Sequence, residues 1–376
     1  MHTVSRKTAA ALLAAVAMTA VGACAPPESD DGGDATGAAA ATSAADLGGM
    51  DALVDAAKKE GQLNVIALPP DWANYGEIIS TFSDKYGIKV NSAQPDASSQ
   101  DEINAADQLH GQDKAPDVFD LGSAVALANT AKFAAYKPAT WDEIPADLKE
   151  PNGTWTSDYG GYMSIGYDAS KVPAPAGVTD LLKPDYKGKV ALNGDPTQAG
   201  AAFSGVVMAA LGNGGSADDI KPGVDFFAQL KKAGNFLPVD PTPTTIESGQ
   251  TPVVIDWDYL NVGQGAKLSG KLQWKTVVPS GAVVGSYYTQ AINKDAPHPA
   301  AARLWQEFLY SDQGQNLWLS GGARPVRADA MDKAGTIDAQ AYGALPKAEG
   351  TPVFLTEDQT TKAKDYLAQN WAKAVG

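Results

Sequence analysis

Asp256-Trp257-Asp258-Tyr259 places two carboxylates and two aromatic rings in four consecutive positions. The face of a Trp or Tyr ring attracts an organic cation, and a carboxylate beside it fixes the cation's position. Two more groups of this kind occur, Asp71-Trp72-Ala73-Asn74-Tyr75 and Ser286-Tyr287-Tyr288. Asp256 and Asp258 are two apart at the end of an apolar run, so they are expected to point the same way. Paired carboxylates also serve glycoside hydrolysis, and a secreted glycosidase is the alternative reading from another class. Asp195-Pro196-Thr197-Gln198-Ala199-Gly200 suggests a different chemistry. With Asp195 as N-cap and Pro196 at the first helical position, it reads as a helix start whose free N–H groups can hold an anion. The Asp195 carboxylate competes for those same groups.

Other chemistries are excluded by composition. The 376 residues contain one Cys and three His, too few for a disulfide scaffold or a Cys-based zinc site. No cofactor and no metal site is expected. A formal charge of −15 argues against nucleic acid, whose phosphates need a basic face. Gly-x-Ser-x-Gly, His-Glu-x-x-His and a P-loop do not occur. Gly212-Asn213-Gly214-Gly215 follows a helical pattern, not a strand, and so reads as a helix stop and not a dinucleotide loop. The expectation is a binding protein and not an enzyme.

The elements that must position these groups follow from hydrophobic spacing. Met50, Leu53, Val54 and Ala57 mark a helix ending at Gly61, and a short strand covers 63–68. A helix through Ile78 and Phe82 closes at Gly87, and a strand begins at Ile88. A polar helix over 98–110, a strand over 117–120 and a helix from Ser123 follow. Strands are expected at 162–167, 189–192, 253–255 and 277–278, with a helical stripe at Leu304, Trp305, Phe308 and Leu309. Thr356 and Gln359 form a capping box for a last helix. Strand and helix alternate in two series. The fold class is therefore α/β in two lobes, each a mainly parallel sheet flanked by helices. Crossovers are expected at 154–162 and 285–291. In such folds ligands bind beyond the carboxyl ends of the strands, where the three aromatic groups fall.

The first residues read as an export signal. Arg6 and Lys7 precede an apolar run, and Val21-Gly22-Ala23-Cys24 follows at once. This box resembles that of bacterial lipoproteins, which implies a lipid on Cys24. Residues 25–46 are mostly Ala, Gly, Ser, Thr, Pro and Asp, the composition of a flexible tether. The expected organisation is a signal over 1–23, a tether over 24–47, lobe 1 over 48–158 plus 287–376, and lobe 2 over 159–286.

From about residue 50 onward the chain resembles the substrate-binding proteins of ABC importers, of the type II periplasmic-binding-protein class. The resemblance rests on Gly61-Gln62-Leu63-Asn64-Val65, Phe82-Ser83-Asp84-Lys85-Tyr86-Gly87-Ile88-Lys89-Val90, Ala115-Pro116-Asp117-Val118, Ala291-Ile292-Asn293-Lys294-Asp295-Ala296-Pro297 and Gly322-Ala323-Arg324-Pro325-Val326, in that order. It implies two lobes that close on a small ligand by hinge motion and dock on a membrane permease. Within the class the chain is similar to polyamine, ferric-ion and phosphonate binders. Trp72-Ala73-Asn74-Tyr75 matches the Trp-x-x-Tyr pair of the polyamine binders. Tyr287-Tyr288 departs from their Trp-x-Asp. Ferric binders carry adjacent tyrosines where this chain has Asp258-Tyr259. Phosphonate binders use the start corresponding to Thr197–Gly200.

The expected site therefore comprises Asp71, Trp72, Tyr75, Ser123, Thr197, Gln198, Asp256, Trp257, Asp258, Tyr259, Tyr287 and Tyr288. Trp72, Tyr75, Trp257 and Tyr259 would cage a cationic amine such as putrescine or spermidine. Asp256 and Asp258 would hold its ammonium groups, with Tyr287 and Tyr288 on the hinge side. The resemblance implies an ABC permease as partner and a monomer held at the outer face of the cytoplasmic membrane. An anion such as a phosphonate, or ferric ion, is the alternative cargo.

Overall fold

The computed structural model describes residues 33–376, so the signal sequence and Cys24 lie outside the described residues. Ten strands form the frame: β1 Gln62–Ile66, β2 Lys89–Ala93, β3 Val118–Gly122, β4 Phe133–Ala134, β5 Thr156–Asp168, β6 Val190–Leu192, β7 Val253–Trp257, β8 Trp274–Val277, β9 Gly285–Asn293 and β10 Arg324–Pro325. The fold is α/β, as expected, with helices packed on both parts of the frame.

The expectation of mainly parallel sheets does not hold. β1 pairs with β2 in parallel and β6 with β7 in parallel. Every pairing of β5 and β9 is antiparallel. The reason is that β5 and β9 pass from one half of the molecule into the other. They pair with each other and then join β3 on one side and β7 on the other. The crossovers expected at 154–162 and 285–291 coincide with the long strands β5 and β9. β5 carries a register shift between Ser157 and Gly160, and Asp158 and Tyr159 lie inside it. A shift of this kind re-aims side chains out of the strand alternation.

Most helix readings hold. Gly61 and Gly87 close their helices in the left-handed conformation, with φ of 72° and 69°. Ser98 caps Ser99–Gln108, and Thr356 with Gln359 forms the capping box of Glu357–Val375. One start is corrected. The helix after Asp195 begins at Gly200, with Ala199 as N-cap. The Asp195 carboxylate instead takes the Thr197 N–H at 2.8 Å, which closes a turn before the helix.

Two parts of the expected organisation change. The tether does not extend to residue 47: a helix spans Gly33–Ala40 and a 3-10 turn Ala44–Leu47. Arg303, 1 % exposed, donates to the carbonyls of Ala39 and Ala41 and so binds this segment to the helix Pro299–Leu309. The last helix, expected on lobe 1, packs on the lobe 2 helix Lys221–Ala233, with Trp371 against Phe227 at 5.3 Å. The chain reaches it through residues 345–356, where the Val353 N–H donates to Val283 and its carbonyl accepts from Gly285. This makes a third crossing between the halves. No helix among the described residues is long and apolar enough to cross a membrane.

Candidate functional site

Trp72 is delivered by a bent loop after β1. Ala73 and Asn74 both adopt left-handed φ, 45° and 69°, a conformation that non-glycine residues rarely take. The bend is held from outside, since the Asn74 side-chain amide donates to the Leu317 carbonyl at 2.9 Å. It directs the Trp72 ring toward the strands that join the halves. There the indole Nε1 donates to the Tyr159 hydroxyl at 2.7 Å. That hydroxyl in turn donates to Asp120 Oδ2 at 3.3 Å.

Tyr159 is the centre of an aromatic box. It stacks on Tyr288 with centroids 5.4 Å apart and planes 2° apart. Tyr259 stands edge-on to it at 6.0 Å. Trp72 meets Tyr259 at 5.9 Å and Tyr288 at 5.8 Å, both edge-on. Trp257 stacks behind Tyr259 at 6.4 Å. Trp72 follows β1 of the two-stranded sheet and Tyr259 follows β7 of the larger one, so the box draws on both sheets. Gly160 and Gly161 give β5 room at this point: a Cβ on Gly160 would run into the Ser286 carbonyl, and one on Gly161 into the Asp258 carboxylate.

Two carboxylates face this box from opposite halves. Asp120 is on β3, cross-strand from Gln290 on β9. Burial raises its pKa to about 7, against lowering hydrogen bonds from Tyr75, Tyr159 and Gln290. Its Oδ1 is buried without a hydrogen-bond partner. Asp256 is on β7, cross-strand from Ser164. Its Oδ2 accepts from Asn193 at 2.8 Å and its Oδ1 from the Trp257 N–H at 2.8 Å. Burial raises its pKa to about 7 as well, with those two bonds opposing. Both carboxylates act electrostatically on Tyr259 and Tyr288, whose hydroxyl pKa values are pushed up chiefly by burial.

Of the expected residues, Trp72, Trp257, Tyr259, Tyr288 and Asp256 come together here. Tyr75 lies beneath the box, fully buried, with its hydroxyl at Asp120 and accepting from Gln290 Nε2 at 3.1 Å. Asp258 does not point the same way as Asp256. Asp256 ends a strand, whereas Asp258 is the first residue of the helix Asp258–Lys267. It accepts from the Tyr162 N–H at 3.0 Å and pairs with Arg324 at 3.2 Å. Burial raises its pKa to about 6, with Arg324 opposing. It already holds an internal cation, and this takes it out of the expected ammonium clamp.

The remaining expected residues lie outside the box. Asp71 is 86 % exposed and pairs with Lys267 at 3.1 Å. Ser123 is exposed and donates to the Tyr287 carbonyl at 2.8 Å. Tyr287 stacks on Phe354 at 6.0 Å. Thr197 and Gln198 are exposed, and their hydrogen bonds stay within the turn at Asp195.

Sequence reasoning missed Asp120, Tyr159, Asp158, Gln290 and Arg324. Asp120 ends the strand expected over 117–120, so the strand-end rule that selected Asp256 applies to it equally, although β3 runs on to Gly122. The signal for Tyr159 is the Gly160-Gly161 pair after it. Arg324 carries no local signal, because its partner Asp258 is 66 residues away.

A family model described as bacterial extracellular solute-binding protein matches residues 113–342, more than half of the chain. Among solved structures, the chain is similar to iron-bound HitA from Pseudomonas aeruginosa, at 21 % identity and TM-score 0.60, covering 84 % of this chain and 99 % of that one. An ABC transporter substrate-binding protein from Bradyrhizobium japonicum is similar at 13 % identity and TM-score 0.65, covering 84 % and 100 %. AgtB from A. tumefacien in complex with agropinic acid is similar at 15 % identity and TM-score 0.60, covering 84 % and 98 %.

Proposed function

Because the chain belongs to the bacterial extracellular solute-binding family, we propose that it captures a small organic cation, polyamine-like in chemistry, between its halves and delivers it to an ABC permease. The observation that carries this reading is the box of Trp72, Tyr159, Tyr259 and Tyr288 flanked by Asp120 and Asp256. Ring faces attract a cation more strongly when water is excluded. A buried carboxylate without a cationic partner is costly, so a ligand ammonium that pairs with it is selected over neutral analogues. Each half contributes one carboxylate, so a ligand with two positive centres favours the closed arrangement over an open one. Lipidation of Cys24 would hold the body at the outer face of the cytoplasmic membrane as a monomer.

Ferric ion is the second reading, favoured by the names of several similar structures, among them the ferric binding protein from Campylobacter jejuni. Against it, the segment where ferric binders carry adjacent tyrosines reads Asp258-Tyr259, with one tyrosine only. The test is a thermal-shift panel of 1,4-diaminobutane, spermidine, a phosphonate and ferric citrate. The amine reading expects a rise in Tm with the amines alone. A rise with ferric citrate or the phosphonate and none with the amines overturns it.

A further inference from the structure

His298 precedes the helix Pro299–Leu309, and a chain of side-chain amides decides the state of its ring. The chain starts from backbone. Asn64 on β1 donates both hydrogens of its amide, to the Asp113 carbonyl at 2.8 Å and the Ala115 carbonyl at 3.0 Å. Carbonyls only accept, so the orientation of Asn64 is fixed and its Oδ1 faces the other way. There it accepts from Asn91 Nδ2 on β2 at 3.0 Å. The same Asn91 nitrogen donates to Gln62 Oε1 at 3.1 Å. Gln62 Nε2 is thereby turned to Asp113 Oδ2 at 3.1 Å and to His298 Nε2 at 2.8 Å. Turning Gln62 over would set donor against donor at Asn91 and oxygen against carboxylate at Asp113. His298 Nε2 therefore accepts. A ring that accepts at Nε2 is neutral and carries its hydrogen on Nδ1. Nδ1 stands 3.0 Å from Asp117 Oδ2, the acceptor that this hydrogen needs.

Asp117 ties the ring to the frame. Its Oδ1 accepts from the His298 backbone N–H at 2.7 Å and its Oδ2 from the Asn64 N–H at 2.6 Å. Its own N–H donates to the Asn64 carbonyl and its carbonyl accepts from Asn293, so it joins β1 to β9. His298 and Asp117 are 5 % and 0 % exposed. A second acceptor stands at His298 Nε2: Asp113 Oδ1, at 3.4 Å. One nitrogen thus faces a donor and a carboxylate together, and a proton on it exchanges them. The N–H so formed suits Asp113 and repels the Gln62 amide hydrogens. The charged groups acting on the ring are Asp117 from the segment before β3, Asp113 from the loop after the helix Ser99–Gln108, and Glu60 from the end of the helix Met50–Glu60. Burial lowers the ring's pKa, but these three carboxylates outweigh burial and raise it above the ordinary 6.5.

We propose that His298 is a proton-operated switch at this joint: neutral, it accepts from Gln62 and completes the amide chain across β1 and β2; protonated, it donates to Asp113 and turns the Gln62 amide away from Asn91. The one covalent change is an N–H bond formed with a proton from solvent. Because the folded pKa is raised, the stability it contributes is fully present below about pH 6.5 and is lost as pH rises through the folded pKa. The switch lies outside the aromatic box and does not depend on the amine reading.

The test follows the imidazole and side-chain amide nitrogens of the isotopically labelled full chain by NMR between about pH 5 and pH 9. His298 is identified by the signals absent from His298→Gln. The neutral ring is expected as the Nδ1–H tautomer, and the Gln62 amide signals are expected to shift with the midpoint of the ring. An Nε2–H tautomer, a ring that does not titrate in this range, or Gln62 signals that do not follow it overturns the switch. Two variants are expected to move the midpoint in opposite directions. Asp113→Asn removes the carboxylate that takes the cation and lowers it. Gln62→Leu removes the donor to the neutral ring and raises it. An unchanged midpoint in either folded variant, or shifts of the same sign in both, overturns the switch. Should a variant not fold, the wild-type tautomer and the Gln62 signals still decide.

Discussion

The indole N–H of Trp72 rests on the Tyr159 hydroxyl at 2.7 Å, and this bond joins a loop of one half to the strand that runs through both. It also fixes the direction of the Tyr159 O–H, which is left to donate to Asp120. Trp72→Phe keeps most of the ring and removes the donor. A net loss of about 1 kcal/mol is typical for such a bond, so diamine affinity is expected to fall about 5-fold with little change in Tm. Trp72→Ala also removes the ring and is expected to weaken binding at least 30-fold by calorimetry. Equal affinities for the two variants contradict a role for the ring.

Arg324 and Asp258 form an ion pair at the box, with side chains 16 % and 0 % exposed. The guanidinium also lies over the Tyr162 ring at 4.6 Å. Removing one partner of a buried pair strands the other charge, at about 3–5 kcal/mol. Arg324→Ala should therefore lower stability by that order in urea unfolding. Arg324→Ala combined with Asp258→Asn should recover part of it. An unaffected single variant would show that the pair is exposed in solution.

Gly161 is needed for space and not for backbone freedom, because a Cβ there meets the Asp258 carboxylate and the Tyr259 ring. Gly161→Ala is expected to displace both and to cost a few kcal/mol, in the upper range for overpacking. Gly177→Ala, where the added Cβ meets nothing within 4 Å, is the control and should change stability by less than 1 kcal/mol.

The ligand-free protein should lose stability as pH rises through neutrality. The folded pKa of Asp256 is about 7 against an ordinary 3.8, so the native state binds the proton more tightly than the unfolded one. Its contribution is fully present below about pH 4 and is lost as pH approaches and passes 7. Asp256→Asn carries no such charge. Wild type and Asp256→Asn should match in Tm at pH 4.5, and the variant should be the more stable by about 3 kcal/mol at pH 8. A constant difference across that range contradicts the buried-charge argument.

Local signals in the sequence were enough for most elements. Gly61, Gly87, Ser98 and Thr356 mark helix ends by backbone and cap chemistry that acts within a few residues. Trp72, Trp257, Tyr259 and Asp256 were legible because each sits at the end of a strand or shortly beyond it. What escaped depends on long-range pairing. The antiparallel run of β5 and β9 is set by partners over 100 residues apart, such as Ser157 and Thr289, and hydrophobic alternation carries no strand direction. Asp258 read as a free carboxylate because Arg324 is remote in sequence and adjacent in space. Tyr159 sat in a stretch rich in Gly and Trp, where the register shift hides the strand period.

The central claim is that Asp120 and Asp256 hold a dication inside the aromatic box. Calorimetric titration of wild type and Asp120→Asn with 1,4-diaminobutane at pH 8 tests it most directly. The expected result is one diamine per chain in wild type, with affinity at least 100-fold weaker in the variant. Equal affinity in the two proteins, or no diamine heat in wild type while ferric citrate or a phosphonate binds, would contradict it.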